Sequence, residues 1–197
     1  MLRAVLVGLS VGLLSVQAHP AVAAESAYTK LDVDADCRAE TQVHGGGTWT
    51  CKGYKTYPIH FAEGDLRQSV FYGEVGPWHN TAFESFGRFN HAGDTVEWRL
   101  SKGKPLATIR RWFLAPDEAT PDGPEIQVLV ISKVGQVGVG DACVAGYVEV
   151  LANPDANEVA REVADTVAPG FACRQAEPKW HGKRKNLEIE AMRSFGE

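Results

Sequence analysis

The sequence predicts an α+β fold: a single antiparallel β-sheet of about five to seven strands, one C-terminal helix packed on one face, and two disulfides. Three observations lead to this class. Residues 95–101 alternate apolar and charged side chains, the pattern of a half-buried antiparallel strand. Residues 156–167 carry an apolar stripe with helical period. Four cysteines lie downstream of a secretion-type N-terminus, and an even count in an exported chain indicates disulfides.

The N-terminus predicts export. Arg3 precedes an apolar run over residues 4–16, and small residues follow at 21–24, so residues 1–24 are expected to be a signal peptide. The run is shorter than the roughly 20 residues needed to span a bilayer. We therefore expect a periplasmic or secreted protein. Residues 25–176 are predicted to form a single α+β domain, and residues 177–197, with a basic run, a peripheral C-terminal tail.

The strands and cysteines follow in order along this domain. Period-2 and apolar patterns predict strands near residues 28–36, 48–51, 57–61, 66–72, 95–101, 106–114, 126–134 and 143–151. The four cysteines allow three pairings. Cys37 with Cys51, and Cys143 with Cys173, is the favoured pairing, because each bond closes a short loop around a plausible hairpin or strand–helix unit.

The helix is predicted to begin at Asn153, a good N-cap residue, and to end before Ala168-Pro-Gly. Its apolar stripe should pack against the sheet as a lid and its charged face should meet water. The stripe contains Ala156, Val159, Ala160, Val163, Ala164 and Val167. The charged face contains Asp155, Glu158, Arg161, Glu162 and Asp165.

Charge and composition exclude some functions. The chain carries 20 basic and 25 acidic side chains, a net charge of −5, whereas a general nucleic-acid binder needs a basic surface. No second apolar run approaches membrane length, so no transmembrane segment is expected. No Gly-x-Ser-x-Gly or Ser-x-x-Lys motif indicates a serine nucleophile, and the cysteines are expected to be oxidised.

Carboxylates and histidines suggest two other chemistries. Five candidate carboxylates lie among aromatic side chains: Glu63, Asp65, Glu84, Asp94 and Glu97. A small hydrolase would need two of them across a groove. The alternation of Glu97 and Arg99 with apolar residues is instead typical of a solvated strand face with a cross-strand ion pair. His60 and Glu63 have metal-ligand spacing, and His79 or His91 could complete such a site. On a strand, however, His60 and Glu63 should point to opposite faces. Isolated histidines are favoured, and no metal or cofactor is predicted.

Aromatic residues are concentrated between Trp49 and Phe113, and four of them lie in the irregular stretch between residues 73 and 93. Aromatic and arginine side chains on a loop are typical of recognition surfaces, although filling a β core is an alternative role. The predicted binding residues are Trp78, Phe83, Phe86, Arg88 and Phe89.

Four segments carry a resemblance: residues 62–73, 83–90, 95–99 and 152–165. They are similar to segments of a family of small exported proteins from alphaproteobacteria. The resemblance extends over nearly the whole predicted mature chain. It implies a periplasmic location and one shared domain, and it implies no activity and no catalytic residues.

Three function classes remain open. The first is a non-enzymatic binding or inhibitor-type module that recognises an envelope protein or glycan through the aromatic and arginine surface. The second is a small hydrolase that uses carboxylates between Glu63 and Glu97. The third is a structural envelope protein without a ligand. A deep pocket with two close carboxylates would favour the hydrolase, and an exposed aromatic patch would favour binding.

Overall fold

The computed structural model describes residues 24–116 and 121–195, which are mostly β-structure. The predicted signal peptide, apart from Ala24, lies outside the described residues. The strands are β1 (Glu25–Lys30), β2 (Cys37–Val43), β3 (Gly46–Tyr54), β4 (Tyr57–Gly64), β5 (Arg67–Gly73), β6 (Phe83–Phe86), β7 (Asn90–Ser101), β8 (Lys104–Leu114), β9 (Ile126–Gly135), β10 (Cys143–Glu149), β11 (Lys179–His181) and β12 (Ala191–Ser194). The α-helices are α1 (Val33–Asp36) and α2 (Ala156–Thr166), and short 3₁₀ helices lie at Pro77–Thr81, Val150–Ala152 and Ala168–Gly170.

Ten of these strands form one mixed sheet that curls into a half-barrel. Its main path runs β1-β7-β8-β9-β5-β4-β3-β2. The sheet forks at β9, which pairs antiparallel with β10 along most of its length and parallel with β5 at its end. Strand β11 then adds in parallel to β10, and β12 forms the second, two-stranded sheet with β6.

The predicted α+β class with a single antiparallel sheet of five to seven strands is therefore wrong. The protein is mostly β, its main sheet has ten strands and is mixed, and a second sheet is present. Two parallel contacts, β5–β9 and β10–β11, join segments that are far apart in the sequence. Local side-chain patterns indicate where strands form, but they do not indicate such long-range partners.

The sheet separates two apolar clusters. Inside the half-barrel, aromatic and branched side chains from β4, β5, β7, β8, β9 and β10 form the main core, with Trp98 fully buried at its centre. On the outer side, α2 packs on β8, β9 and β10. The outer cluster contains Ala107, Ile109, Leu129, Ile131, Ala145, Val148, Ala156, Ala160, Val163 and Ala164.

The predicted buried face of the helix is confirmed, but the helix begins at Ala156 rather than directly after Asn153, and its cap is different. Ala156, Ala160, Val163 and Ala164 are buried against the sheet. Asp155 occupies the N-cap position without a capping hydrogen bond. Asn153 instead accepts from the Lys183 backbone N–H at 2.7 Å and donates to the Glu149 carbonyl at 2.8 Å. The expected N-cap residue thus holds the C-terminal segment.

The C-terminal segment is attached to both sheets. Residues 179–181 form β11 beside β10, and residues 191–194 form β12 beside β6. Trp180 packs on Tyr147 with ring centroids 5.1 Å apart, and Ile189 is buried in the main core. The buried Glu149 carboxylate accepts hydrogen bonds from Lys185 and Asn186. Residues 177–195, predicted as part of a peripheral tail, thus contribute strands and core contacts.

Both predicted disulfides are confirmed. Cys37 and Cys51 lie opposite each other on β2 and β3, so this bond links the two strands of the hairpin. Cys143 at the start of β10 is joined to Cys173, three residues beyond the 3₁₀ turn that follows α2. Disulfides are typical of proteins outside the cytoplasm. Among the described residues, no helix has both the length and the apolar character needed to cross a membrane.

Replacing Cys143 and Cys173 together with serine should lower the free energy of unfolding by about 3 kcal/mol, because the bond closes a loop across 30 residues and restricts the unfolded chain. Urea titration of the variant and the parent measures the difference. An unchanged unfolding midpoint would show that this bond does not stabilise the fold.

Candidate functional site

The structure disperses the five residues of the predicted binding surface. Phe86 is 1% exposed and packs in the core against Trp112 and Tyr147, with ring centroids 5.8 and 5.5 Å away. It is therefore not part of a surface in this conformation. Trp78 is half-buried, and its ring meets Phe71 edge-on at 5.5 Å. These two residues fill the fold, as the alternative core role expected.

Arg88 and Phe89 line a cleft of about 500 Å³, here named the Arg88 cleft. Phe89 is 46% exposed, and the Arg67 guanidinium lies 4.8 Å from the centre of its ring. Arg88 donates to the Pro116 carbonyl at 2.9 Å. The aromatic and arginine surface is thus reduced to this small cluster. The cleft is lined by Arg67, Gly87, Arg88, Phe89, Ala115, Pro116, Glu188 and Glu190.

Phe83 lines a different cleft of about 360 Å³, here named the histidine cleft. Strands β2 to β5 form one side, and the 3₁₀ helix Pro77–Thr81 with the start of β6 forms the other. Its polar lining includes Glu40, Thr41, Thr48, Thr50, His60, His79 and Asn80, and its apolar lining includes Val43, Ala62, Phe71, Ala82 and Phe83.

Strand alternation explains this lining. On β4, Ile59 and Phe61 are buried in the main core, so His60 between them points to the outer face. On β3, Thr50 is the cross-strand partner of His60, and Thr48 is the partner of Ala62. On β3 and β4, small and polar residues therefore occupy the outer face, while the large apolar residues face the core.

Two imidazoles meet in the histidine cleft. The ring centroids of His60 and His79 are 5.1 Å apart. His60 Nε2 lies 3.1 Å from the Gly73 carbonyl oxygen, and His79 Nδ1 lies 2.9 Å from the Gly76 carbonyl oxygen. A carbonyl oxygen only accepts hydrogen bonds, so each of these ring nitrogens carries a proton and donates.

The opposite nitrogens, His60 Nδ1 and His79 Nε2, are accessible and make no hydrogen bond to a described residue. Neither belongs to the buried polar atoms that lack a partner. Burial and the neighbouring His79 lower the pKa of His60, while the Glu40 carboxylate acts in the opposite direction. At neutral pH the neutral form of His60 therefore has an accessible lone pair on Nδ1.

From the sequence, His79 or His91 could complete a site with His60 and Glu63, but isolated histidines were favoured. The structure brings the rings of His60 and His79 together, because the 3₁₀ helix Pro77–Thr81 lies across the outer face of β4 and β5. The outward orientation of His60 followed from its position between Ile59 and Phe61. The packing of residues 77–81 onto this face had no local signal.

The five candidate carboxylates do not assemble a hydrolytic pair. Only Glu63 lines either of the two clefts. Each carboxylate has another partner: Glu63 accepts from Gln68, Asp65 pairs with Arg67, Glu84 with Arg193, Asp94 with Lys30, and Glu97 with Arg161. No two of these five carboxylates line the same cleft, so they do not supply the facing pair that glycoside hydrolysis requires.

The spacing of Glu97 and Arg99 predicted a solvated strand face, and this prediction is wrong. The two residues are 9% and 8% exposed, because α2 covers this part of the sheet. Arg99 donates two hydrogen bonds to Asp165, at 2.8 and 2.6 Å, and Arg161 donates to Glu97 at 2.7 Å. This ionic cluster joins the helix to β7.

Residues 24–116 and 121–195 contain no group of three or more His, Cys, Asp or Glu side chains placed to hold a metal ion. Comparisons with protein-family models, with curated proteins and with solved structures found no match.

Proposed function

We propose that this protein is a non-catalytic binding module outside the cytoplasm that takes a small organic ligand in the histidine cleft. The observation that carries the proposal is the lining of this cleft, which combines apolar side chains with a few polar groups that have free hydrogen-bonding capacity. Its volume of about 360 Å³ falls in the range of small-molecule sites.

The free polar groups indicate the chemistry of the ligand. His60 Nδ1 and His79 Nε2 accept hydrogen bonds, and the Glu40 carboxylate is also an acceptor. A ligand with hydroxyl or amine donors at one end and an apolar body against Phe83 and Ala62 matches this arrangement.

A periplasmic location is part of the proposal. The two disulfides support an address outside the cytoplasm. The N-terminal pattern and the resemblance to small exported proteins of alphaproteobacteria support the periplasm in particular.

A second candidate function is recognition of an envelope protein or glycan at the Arg88 cleft. The exposed ring of Phe89, with Arg67 against it, favours this candidate, since exposed aromatic and arginine side chains are typical of recognition sites.

A two-arm NMR titration tests both candidates in the presence of EDTA. We expect phenol, benzyl alcohol and tyramine to shift the backbone signals of Thr48, His60 and Phe83. Thr48→Arg should weaken this binding at least about 10-fold, because a long side chain fills the cleft, whereas Thr95→Arg, at an exposed position on β7, should not. In the second arm, N-acetylglucosamine is titrated, and binding at the Arg88 cleft is detected as a shift of the backbone signal of Phe89. If Thr48→Arg leaves the binding of all three compounds unchanged, the histidine cleft is not their site.

A further inference from the structure

We infer that His60 and His79 form a binding site for a divalent transition-metal ion of the class that prefers imidazole ligands, with Zn²⁺ and Cu²⁺ as its representatives. The ion would be held by Nδ1 of His60 and Nε2 of His79. This inference goes beyond the proposed function, because it requires no organic ligand and the sequence predicted no metal.

The hydrogen-bonding state of the two rings supports this inference. A metal-bound histidine almost always donates its other ring N–H to a carbonyl or carboxylate, which fixes the tautomer and the orientation of the ring. His60 donates from Nε2 to the Gly73 carbonyl, and His79 donates from Nδ1 to the Gly76 carbonyl. Both acceptors are backbone atoms, so both rings are held before any ion binds.

The two rings are also close together. The ring centroids lie 5.1 Å apart with an interplanar angle of 59°, and both rings line one cleft. The unprotonated nitrogens are accessible and have no hydrogen-bond partner among the described residues. Two imidazoles side by side are ligands that Zn²⁺ and Cu²⁺ accept readily.

The local charge supports the inference as well. Glu40 acts on His60 as a negative charge, and Glu63 also lines the cleft. The Arg38 guanidinium lies 2.6 Å from the Glu40 carboxylate and partly offsets its negative charge. Both carboxylates favour a cation in the cleft.

The site is open rather than closed. Only two protein nitrogens are available, in agreement with the absence of a three-ligand group in the described part of the chain. Water or a donor atom of a bound molecule would occupy the remaining coordination positions, as at metal sites that exchange ligands.

The test uses the folded mature protein, treated with a chelator that is then removed. We expect ZnCl₂ to bind with one ion per chain in calorimetry. Long-range ¹H–¹⁵N spectra of the imidazoles should show the metal-bound shift at Nδ1 of His60 and at Nε2 of His79. With CuCl₂, pulsed electron paramagnetic resonance should detect two imidazole nitrogens.

Three variants provide the comparison. His60→Gln and His79→Gln should each weaken Zn²⁺ binding by about 100-fold. His91→Gln is the matched control, because His91 is exposed on β7 and stacks on Phe113 away from the cleft. The Zn²⁺ affinity of this variant should equal that of the parent. Circular dichroism verifies that each variant is folded.

The inference is overturned if neither ion binds to the parent protein, if the metal-bound shifts appear on other histidines, or if both glutamine variants retain parental affinity. The imidazole spectra of the parent decide the matter even if a variant does not fold. Because the organic-ligand titration is run in EDTA, its failure and the failure of metal binding are separate results.

Discussion

Replacing Val163 with aspartate should lower the free energy of unfolding by at least about 3 kcal/mol. Val163 is 4% exposed and lies against β10, where its Cγ1 atom is 3.1 Å from the position that a Cβ atom would take on Gly146. Burying a valine contributes roughly 1.5–3 kcal/mol, and a buried carboxylate without a partner adds a further cost. Such a loss is a large share of a typical stability of 5–15 kcal/mol.

Glu162→Ala is the matched control for this prediction. Glu162 precedes Val163 on α2, is exposed, and should change the stability by less than about 0.5 kcal/mol when truncated. Guanidinium titration of the two variants and the parent gives the comparison. If Val163→Asp unfolds at the midpoint of the parent, the contact between α2 and the sheet does not stabilise this fold.

Glu84→Ala should destabilise the protein by about 3–5 kcal/mol, because truncation removes the buried carboxylate that pairs with Arg193, whose side chain is 8% exposed. The Glu84 side chain has no exposed surface, accepts from Arg193 at 2.8 Å, and accepts from the Val144 backbone N–H at 2.7 Å. The contact connects β6 to β12 and so holds the C-terminal segment. Glu177→Ala removes the exposed carboxylate bound to the same arginine and should cost less than about 1 kcal/mol.

The same residue makes the stability depend on pH. Burial raises the pKa of Glu84 to about 7, although Val144 and Arg193 act in the opposite direction. The folded state therefore binds a proton more tightly than the unfolded state, whose carboxyl has a pKa near 4.5. The part of the stability that comes from protonation of Glu84 is fully present below pH 4.5 and is lost as the pH rises towards 7.

Glu84→Gln tests this pH dependence, because the amide keeps the shape of the side chain but does not titrate. Urea titrations between pH 4 and 8 should show a smaller decline in stability for the variant than for the parent. Equal slopes for the two proteins would show that Glu84 does not titrate in this window.

Features that depend on neighbouring residues were predictable. The helix was located because its apolar stripe extends over three turns. The charged residues between the stripe positions indicated which side of the helix would pack on the sheet. The disulfides were paired because the favoured partners close short loops. The strands β7, β8, β9 and β10 were recognised from alternation or apolar content.

Features that depend on distant residues were not predictable. Arg161 and Asp165 were expected in water, yet they bind Glu97 and Arg99 on the sheet below. Phe86 was expected at a surface, yet it lies in the core. A polar residue on a strand has the same local pattern whether it meets water or an ion-pairing partner, and an aromatic residue in an irregular stretch has no fixed orientation.

The sequence by itself determined the main strands, one amphipathic helix and two disulfides of this protein. Each is a property of residues close together in the chain, where period and spacing decide the outcome. Only the tertiary structure decided the forked ten-stranded sheet, the attachment of the C-terminal strands, and the meeting of His60 with His79. These depend on pairings between distant residues, whose energies come from shared burial and hydrogen bonding that no local pattern records.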